Sequence, residues 1–512
     1  MKRNALRSVL ALLLAALAAG LQAQDLKSFE GKTTVHRLKN GWTFLIVERP
    51  VAPVFSFATI ADVGSAQEVP GITGLAHMFE HMAFKGTPNL GTKDYAAEKK
   101  ALEALEAAYQ AYQAERLSPR PDPKKLESLR ADFQAKQQQA AQYVVHNEFD
   151  DVLSREGGTG LNATTGADET SYFYSLPANK VELFAFLESE RFFHPVFREF
   201  YEERDVVHEE RRMSYESQPI GRLVEQFLTT SFQYHPYQQP GIGSPSDLDA
   251  ISITDAEQFF QTYYVPSNMV TAIVGDVHAQ TLIPILEKYF GRIPARPAPP
   301  PLRTVEPPQV AERTVVLVDP SQPVYVEGYH KPAETDPDQA VYDAIDDILS
   351  AGRTSRLYRS LVRDKKLAVQ VESFSGFPGE KYPNLWAVLV IPAFGVSNEQ
   401  VQAAVREEIG RLQREDVTDE ELAKFKTRSK ARLLRSLRSN QGLANQFAEY
   451  QRLFGDWREL FRSIDRLEKV TKADIRRVAT QTFQAPNRTV AMIVTRPAQG
   501  EMPAPAAPGG AR

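Results

Sequence analysis

Residues 74–87 read GLAHMFEHMAFKGT, and within them His77 and His81 stand four positions apart with Glu80 between them. On an α-helix, positions three and four apart share one face, so the three side chains would point into the same space. Two imidazoles beside a carboxylate can bind a metal ion such as zinc and activate a water molecule. The plainer alternative is three polar positions on an amphipathic helix.

The residues around this motif indicate that its helix is buried. Thr73 could cap the start of the helix, and Leu75, Met78, Phe79 and Met82 follow helical spacing on the opposite face. Buried histidines need partners, and one metal ion satisfies two of them together. The flanking sequence therefore favours a metal site over a solvated helix.

Gly64 together with residues 74–87 closely resembles the zinc motif of the pitrilysin/insulinase family of metallopeptidases, whose His-x-x-Glu-His order is the inverzincin signature. Further similarities extend over residues 31–496, most of the chain. The type it resembles is the bacterial two-domain member, related to the subunits of mitochondrial processing peptidase. The resemblance implies one Zn²⁺ per chain, with His77 and His81 as ligands and Glu80 as general base.

Residues 202–210 are similar to the family's second motif, which implies Glu210 as the third metal ligand and Glu203 as an accessory acid. Their separation of seven residues is nearly two helical turns, so both would lie on one face while Glu209 points elsewhere. A carboxylate ligand from a second helix leaves one metal position open for water. By itself, such a Glu- and Arg-rich run is more often a solvated helix. His208 matches nothing in the family pattern.

Between these motifs, residues 161–172 resemble the family's substrate-binding edge strand. The resemblance implies that four residues pair with the main chain of an extended substrate: Leu161, Asn162, Ala163 and Thr164. An exposed strand edge accepts many sequences but requires an unfolded peptide. The alternative is an ordinary hairpin, because glycines flank the strand and residues 171–174 would form a strand in any protein.

The chain departs from the family between the two motifs, where roughly fifty extra residues lie at about 93–150. Apolar residues recur at spacings of three and four on both sides of the Pro-rich turn 118–123, which predicts an inserted antiparallel helical hairpin. Three roles stay open for this insertion: gating the cleft, contacting a partner, or packing on the surface.

The second half contains a segment, residues 352–368, that resembles the region where relatives carry an arginine and a tyrosine for substrate binding and oxyanion stabilisation. Arg363 fits the arginine. The tyrosine is missing, because its position holds Val369 or Gln370 depending on the alignment. The chain therefore resembles one subunit of a two-chain peptidase, in which a related partner chain, or a second copy in a homodimer, supplies the missing group.

Length and composition fit two cored domains, since the chain has 512 residues and 42% hydrophobic content. A Pro-rich stretch at 297–309 separates the halves, and each half ends with a helix, a Pro-containing turn and a strand. We predict an α+β fold of two duplicated α/β-sandwich domains, 31–296 and 310–496, with the zinc residues and the hairpin in the first. Residues 497–512, rich in Pro, Ala and Gly, are expected to be disordered.

Residues 1–23 have the features of a secretory signal peptide: Lys2, Arg3 and Arg7, an apolar run over 9–19, and Ala23 at a cleavage position. The apolar run is short for a membrane anchor, although an uncleaved anchor is the alternative, and no later segment is long enough.

The absence of cysteine excludes disulfides and thiolate ligands. The formal charge of -5 gives no basic surface for nucleic acid. A soluble periplasmic protein is expected, with secretion from the cell as the alternative.

These inferences lead to one expected function, a periplasmic zinc endopeptidase that hydrolyses unfolded peptides with Glu80 activating a zinc-bound water. The alternative is a catalytically weak or inactive peptide-binding or assembly subunit of a hetero-oligomer.

Overall fold

The computed structural model of the chain describes residues 26–495. The predicted signal peptide and the predicted disordered tail lie outside the described residues. The eleven described strands, numbered in chain order, are β1 Thr33–Arg37, β2 Thr43–Glu48, β3 Val54–Ala61, β4 Thr159–Thr165, β5 Thr170–Pro177, β6 Met269–Gly275, β7 Arg313–Asp319, β8 Val324–Lys331, β9 Ala368–Phe377, β10 Asn384–Pro392 and β11 Arg488–Thr495.

The described α-helices of the first half are α1 Leu26–Glu30, α2 Leu75–Met82, α3 Tyr95–Arg116, α4 Pro123–Ala141, α5 Glu148–Arg155, α6 Val181–Phe193, α7 Phe200–Arg211, α8 Pro219–Ser231, α9 Pro245–Ala250, α10 Ile253–Tyr263 and α11 Ala279–Phe290. Those of the second half are α12 Gln339–Ser350, α13 Asn398–Arg414, α14 Asp419–Ser436, α15 Asn440–Phe454, α16 Glu459–Lys469 and α17 Lys472–Thr482. Within residues 26–495, two π-helical turns occur, at Arg212–Glu216 and Tyr358–Asp364.

The two sheets repeat one topology. The first has strand order β1-β2-β6-β3-β5-β4 and the second β7-β11-β8-β10-β9. In each sheet, the last strand of the half pairs in parallel with the first strand of the repeated unit: β6 with β2, and β11 with β7. The other neighbouring strands are antiparallel. The predicted α+β fold of two duplicated domains is confirmed, with β1 added to the first copy.

The halves exchange helices across their interface. The second half's α15 buries its apolar face on the first sheet, against β2, β3 and β6. In return, the first half's α8 packs on the second sheet, against β7, β8 and β11. Each sheet is therefore covered on one face by its own half and on the other by a helix of the opposite half.

The helices α3 and α4 run antiparallel and form a hairpin between the two predicted ligand segments; we call α3 and α4 together the inserted hairpin. Both helices begin at an aspartate cap, because Asp94 accepts from the Ala97 N–H and Asp122 from the Lys124 N–H. Proline follows the second cap at the first helical position, where it needs no hydrogen-bonded N–H.

The Pro-rich segment 294–312 forms no helix or strand. It is nevertheless anchored, because the Glu306 carboxylate accepts hydrogen bonds from the N–H groups of Gln233, Tyr234 and His235. Across residues 26–495, none of the helices combines the length and the apolar composition that crossing a membrane requires.

Candidate metal centre

The helix α2, which we call the histidine helix, is fixed at its start by a buried carboxylate. Its N-terminal cap is Gly74, whose φ of 96° is left-handed, and a Cβ there would lie 2.8 Å from a Leu248 methyl carbon. The Glu68 carboxylate accepts from the N–H groups of Gly74 and Ala76 at 2.8 and 2.7 Å. The predicted Thr73 cap is wrong, because the Thr73 hydroxyl instead donates to Asp247.

One face of the histidine helix is core, as predicted. Leu75, Met78, Phe79 and Met82 are all buried. The Phe79 ring centroid lies 5.1 Å from that of Phe260 in a stacked arrangement. Close packing of this face fixes the orientation of the helix. The two histidines and Glu80, on the opposite face, are therefore held at fixed positions.

The helix α7, which we call the glutamate helix, supplies the second set of predicted residues. Val207 is fully buried, and on the same helix Glu209 faces solvent, where it pairs with Arg212. His208 pairs with Asp249, 3.2 Å away, and does not join the site.

The structure brings His77, His81 and Glu210 together. Their ligand atoms all lie within 4.8 Å of one another. Glu210 Oε2 is 3.6 Å from His77 Nε2 and 3.8 Å from His81 Nε2. Atoms bound tetrahedrally to one zinc at about 2.0–2.1 Å are about 3.4 Å apart, so these separations fit one ion. Two nitrogens and one carboxylate oxygen are also the donor set of many catalytic zinc sites.

Glu203 contacts a ligand rather than joining the ligand group. Its Oε2 lies 3.2 Å from His81 Nδ1, and its Oε1 lies 2.5 Å from Lys85 Nζ. Burial raises the pKa of Glu203, but the hydrogen bonds from His81 and Lys85 outweigh it and lower the pKa below its ordinary value. Because an ionised carboxylate only accepts, His81 Nδ1 carries the proton and leaves Nε2 free for a metal.

The two histidines differ in electrostatic environment. Burial lowers the pKa of His77, although the Glu210 charge opposes it, which favours the neutral imidazole that a metal needs. The hydrogen bond to Glu203 raises the pKa of His81. Among the described residues, the buried His77 Nδ1 has no hydrogen-bond partner.

Glu80 is joined to the predicted substrate strand. Its Oε2 accepts from the Thr165 hydroxyl at 2.6 Å, and Thr165 is the last residue of β4. The strand β4 is an edge, since among the described strands it pairs only with β5. Asn162 and Thr164 are exposed there, Leu161 is half-buried and Ala163 is buried.

A cleft of about 340 Å³ adjoins the site and is lined by both halves of the chain. His77, Glu210 and Thr165 line it from the first half, and Phe377 and Pro378 from the second. The turn after β4 is tied to the same part of the second half, because the buried Asp168 carboxylate accepts from the Glu380 N–H at 2.7 Å. The end of β4 and this loop of the second half are therefore held together.

Arg363 is not brought to this site. Its guanidinium pairs with the adjacent Asp364 carboxylate on an exposed turn, and it does not line the cleft. Val369, at one of the two positions where relatives carry the tyrosine, is also exposed. The single chain thus lacks the predicted arginine at its own metal centre.

Two contributors were missed by reasoning from the sequence. Lys85 lies four residues after His81, a helical spacing that gave a signal for its position beside the same partner. Glu68 had no such signal, because it lies in a loop six positions before Gly74, whose N–H group it binds.

Comparisons with known proteins give the family of the chain. A family model described as "Insulinase (Peptidase family M16)" matches residues 43–116, which include both histidines and Glu80. A second, described as "Peptidase M16 inactive domain", matches residues 250–429, beyond the glutamate helix.

Whole-chain similarities extend further. The zinc protease PqqE of Helicobacter pylori is 30% identical over 455 residues, covering 86% of this chain and 87% of that protein. The crystal structure of a protease from Helicobacter pylori matches with a TM-score of 0.76 at 26% identity, covering 90% of this chain and 99% of that one. The first half of the periplasmic protease PqqL from Escherichia coli has the same fold, with a TM-score of 0.64 at 17% identity over 91% of this chain and 92% of that one.

Proposed function

The chain belongs to the insulinase family of peptidases, peptidase family M16, and on that premise we propose that it is a zinc-dependent endopeptidase acting on unfolded peptides. The observation that carries the proposal is the meeting of His77, His81 and Glu210 beside Glu80. The ligands come from two helices, and the base lies between the two histidines.

His77 and His81 would hold one Zn²⁺ through their Nε2 atoms and Glu210 through its carboxylate. Zinc in such a site polarises a water molecule and lowers its pKa towards neutrality. Glu203 orients His81 by accepting a hydrogen bond from its Nδ1–H, and Lys85 holds Glu203 in that position.

Glu80 is the proposed general base. It would accept a proton from the attacking water and return it to the leaving amine of the cleaved peptide bond. The Thr165 hydroxyl fixes one of its carboxylate oxygens, which leaves the other for this proton transfer. The base is thereby held at the end of the strand on which the substrate would lie.

The proposed substrate is an extended peptide that adds to the free edge of β4. Main-chain hydrogen bonds to residues 161–164 would hold such a peptide with little dependence on its sequence. In a folded protein most main-chain groups are already hydrogen-bonded, so an unfolded chain pairs with this edge more readily. Selectivity for unfolded chains follows from this geometry.

We further propose that the protein acts in the periplasm and as a dimer. The proposed location rests on the signal-like residues 1–23 and on the periplasmic protease that shares the fold. The proposed dimer rests on Arg363, which is exposed and does not line the cleft of its own chain. We propose that it contacts the substrate bound in the cleft of another chain. That chain would be a related partner supplying the missing tyrosine, or a second copy.

The test is to purify the full chain, measure its metal content, and follow cleavage of an unfolded peptide mixture with and without a chelator. We expect about one zinc per chain and hydrolysis that the chelator abolishes. Glu80→Gln should keep its zinc and lose hydrolysis, whereas Glu209→Gln, on the solvent side of the glutamate helix, should behave as the parent.

Near-normal turnover in Glu80→Gln would show that the base is wrongly assigned, and full zinc content in His77→Ala would show the same for the ligand. A chain that binds zinc and peptide but cleaves nothing, alone or with the related chain that copurifies with it, would favour the alternative of a peptide-binding subunit. The match to an inactive-domain model over residues 250–429 is the observation behind that alternative.

A further inference from the structure

The inserted hairpin packs against the glutamate helix, and through Arg198 it is joined to the loop that leaves the histidine helix. We propose that it is a positioning element of the metal centre, which fixes the separation of the histidine helix from the glutamate helix through Glu98 and Arg198. The inference rests on the proposed metal site and assigns a role to an insertion that the family's zinc motifs do not contain.

The main contact is a buried ion pair between the hairpin and the segment that enters the glutamate helix. Glu98, in the first turn of α3, receives two hydrogen bonds from Arg198, at 2.8 Å from Nε and 3.0 Å from Nη2. Both side chains are at most 1% exposed. A buried bidentate pair of this kind has one geometry, and removing either partner leaves the other charge uncompensated.

The same guanidinium also holds the loop that leaves the histidine helix. Arg198 Nη1 donates to the carbonyl oxygens of Lys85 and Leu90, both at 2.7 Å, and Nη2 donates to that of Thr87 at 2.9 Å. Arg198 therefore joins three segments at once: the hairpin, the exit of one ligand helix and the entrance of the other.

Two glycines in that loop make the close approach feasible. A Cβ atom at Gly86 would lie 2.6 Å from Arg198 Nη1, and one at Gly91 would lie 2.5 Å from it. Both residues also have a left-handed φ, of 101° and 85°. The loop is thus shaped to wrap around this one guanidinium.

Aromatic packing continues the contact along the first turn of the glutamate helix. The Tyr201 ring lies 4.4 Å from that of Tyr109 on α3 and 5.0 Å from that of Phe133 on α4. The Tyr201 hydroxyl donates to Glu106 at 2.6 Å, and Arg204 donates to the Tyr109 hydroxyl at the same distance. Tyr201 and Arg204 flank Glu203, the residue that orients His81.

A second group of contacts reaches Glu203 from the segment that follows the hairpin. Beyond the hairpin, His146 lies 2.7 Å from the Glu199 carboxylate, and Glu199 lies 3.4 Å from Lys85 Nζ. Lys85 in turn holds Glu203. The position of Glu203, and of Glu210 two turns later on the same helix, therefore depends on contacts that the insertion supplies.

The test compares Glu98→Gln with Glu103→Gln, the same change on the exposed face of the same helix, in the full-length protein. Zinc release into excess chelator is timed, and zinc is also replaced by Co²⁺, whose visible spectrum reports ligand geometry. We expect Glu98→Gln to release zinc at least tenfold faster and to change the Co²⁺ spectrum. Glu103→Gln should match the parent in both.

Because Glu98→Gln leaves a buried arginine without its partner, it is paired with Tyr109→Phe and Tyr201→Phe, which each remove one hydroxyl. If Glu98→Gln does not fold, Tyr109→Phe and Tyr201→Phe test the proposal instead. We expect each of them to release zinc a few times faster than the parent. Unchanged release and an unchanged Co²⁺ spectrum in the folded variants would overturn the proposal, even if their melting temperatures fall. A parent protein that binds no zinc would instead refute the proposed function.

Discussion

Replacing Glu203 by alanine tests the assignment of the metal centre most directly. Glu203 is 15% exposed and bonds His81 Nδ1 on one oxygen and Lys85 on the other. The change leaves His81 without the acceptor that selects its tautomer, and leaves Lys85 with only the longer contact to Glu199 at 3.4 Å. Loss of such a partner typically lowers metal affinity by about 10–100-fold, or about 1.4–2.7 kcal/mol. Glu203→Gln, which keeps an acceptor oxygen without the charge, should fall at the low end.

The assay is a competition titration of zinc against a chromophoric chelator at pH 7, with Glu209→Ala as the matched control on the same helix. The control should bind zinc as the parent does, because Glu209 contacts Arg212 and solvent rather than a ligand. The hydrogen bond to Glu203 is the main cause of the raised pKa of His81, so Glu203→Ala should also bring that pKa down. Equal zinc affinity in Glu203→Ala and the parent would refute the reasoning.

Three further predictions concern stability. Phe79→Ala should lower the free energy of unfolding by about 3–5 kcal/mol, because it empties a stacked core position that is 2% exposed; a denaturant titration measures this, and a cost below about 1 kcal/mol would contradict the packing argument. Asp168→Asn should lower the free energy of unfolding by about 1–3 kcal/mol, because the amide NH₂ replaces one of the two oxygens that accept from the Tyr237 hydroxyl and from the N–H groups of Glu380 and Lys381. The backbone amides of residues 379–382 should then exchange hydrogen faster, and an unchanged exchange rate would contradict the prediction. Burial raises the pKa of Asp346 to about 6, so the folded state favours the protonated acid more than the unfolded state does. The contribution of Asp346 to the free energy of unfolding is therefore complete below about pH 4 and is lost as the pH rises through 6. Asp346→Asn, which keeps an acceptor for Trp386 Nε1, should therefore exceed the parent in stability by up to about 3 kcal/mol at pH 8 and not at pH 4; a difference independent of pH in thermal melts would contradict this.

The parts of the site that follow helical periodicity were predictable. The spacing of His77, Glu80 and His81, and the separation of seven positions from Glu203 to Glu210, each determine which residues share a helix face. The repeated turn and strand at the end of each half likewise indicated the duplicated fold. These features are local, and local geometry is what a sequence states most directly.

Long-range contacts were not predictable from one sequence. Glu98 and Arg198 are a hundred residues apart, and each read alone is an ordinary charged residue on a helix or loop. The cap of the histidine helix was assigned to Thr73 because a hydroxyl is the usual cap, whereas the cap residue is Gly74 and the Glu68 carboxylate, from the preceding loop, accepts hydrogen bonds from the first N–H groups. Arg363 was assigned from its resemblance to the family's segment, and its position outside the cleft of its own chain depends on the tertiary fold rather than on that local pattern.

The exchange of helices between the halves bears on how such a chain evolves. A duplicated copy that has no metal ligands would ordinarily be free to disappear by deletion. Here α15 of that copy covers one face of the first sheet, and α8 of the first copy covers one face of the second sheet in return. Losing either half would expose a hydrophobic surface on the other, so the second half is needed for the fold of the first even though the metal cluster found among the described residues lies in the first half.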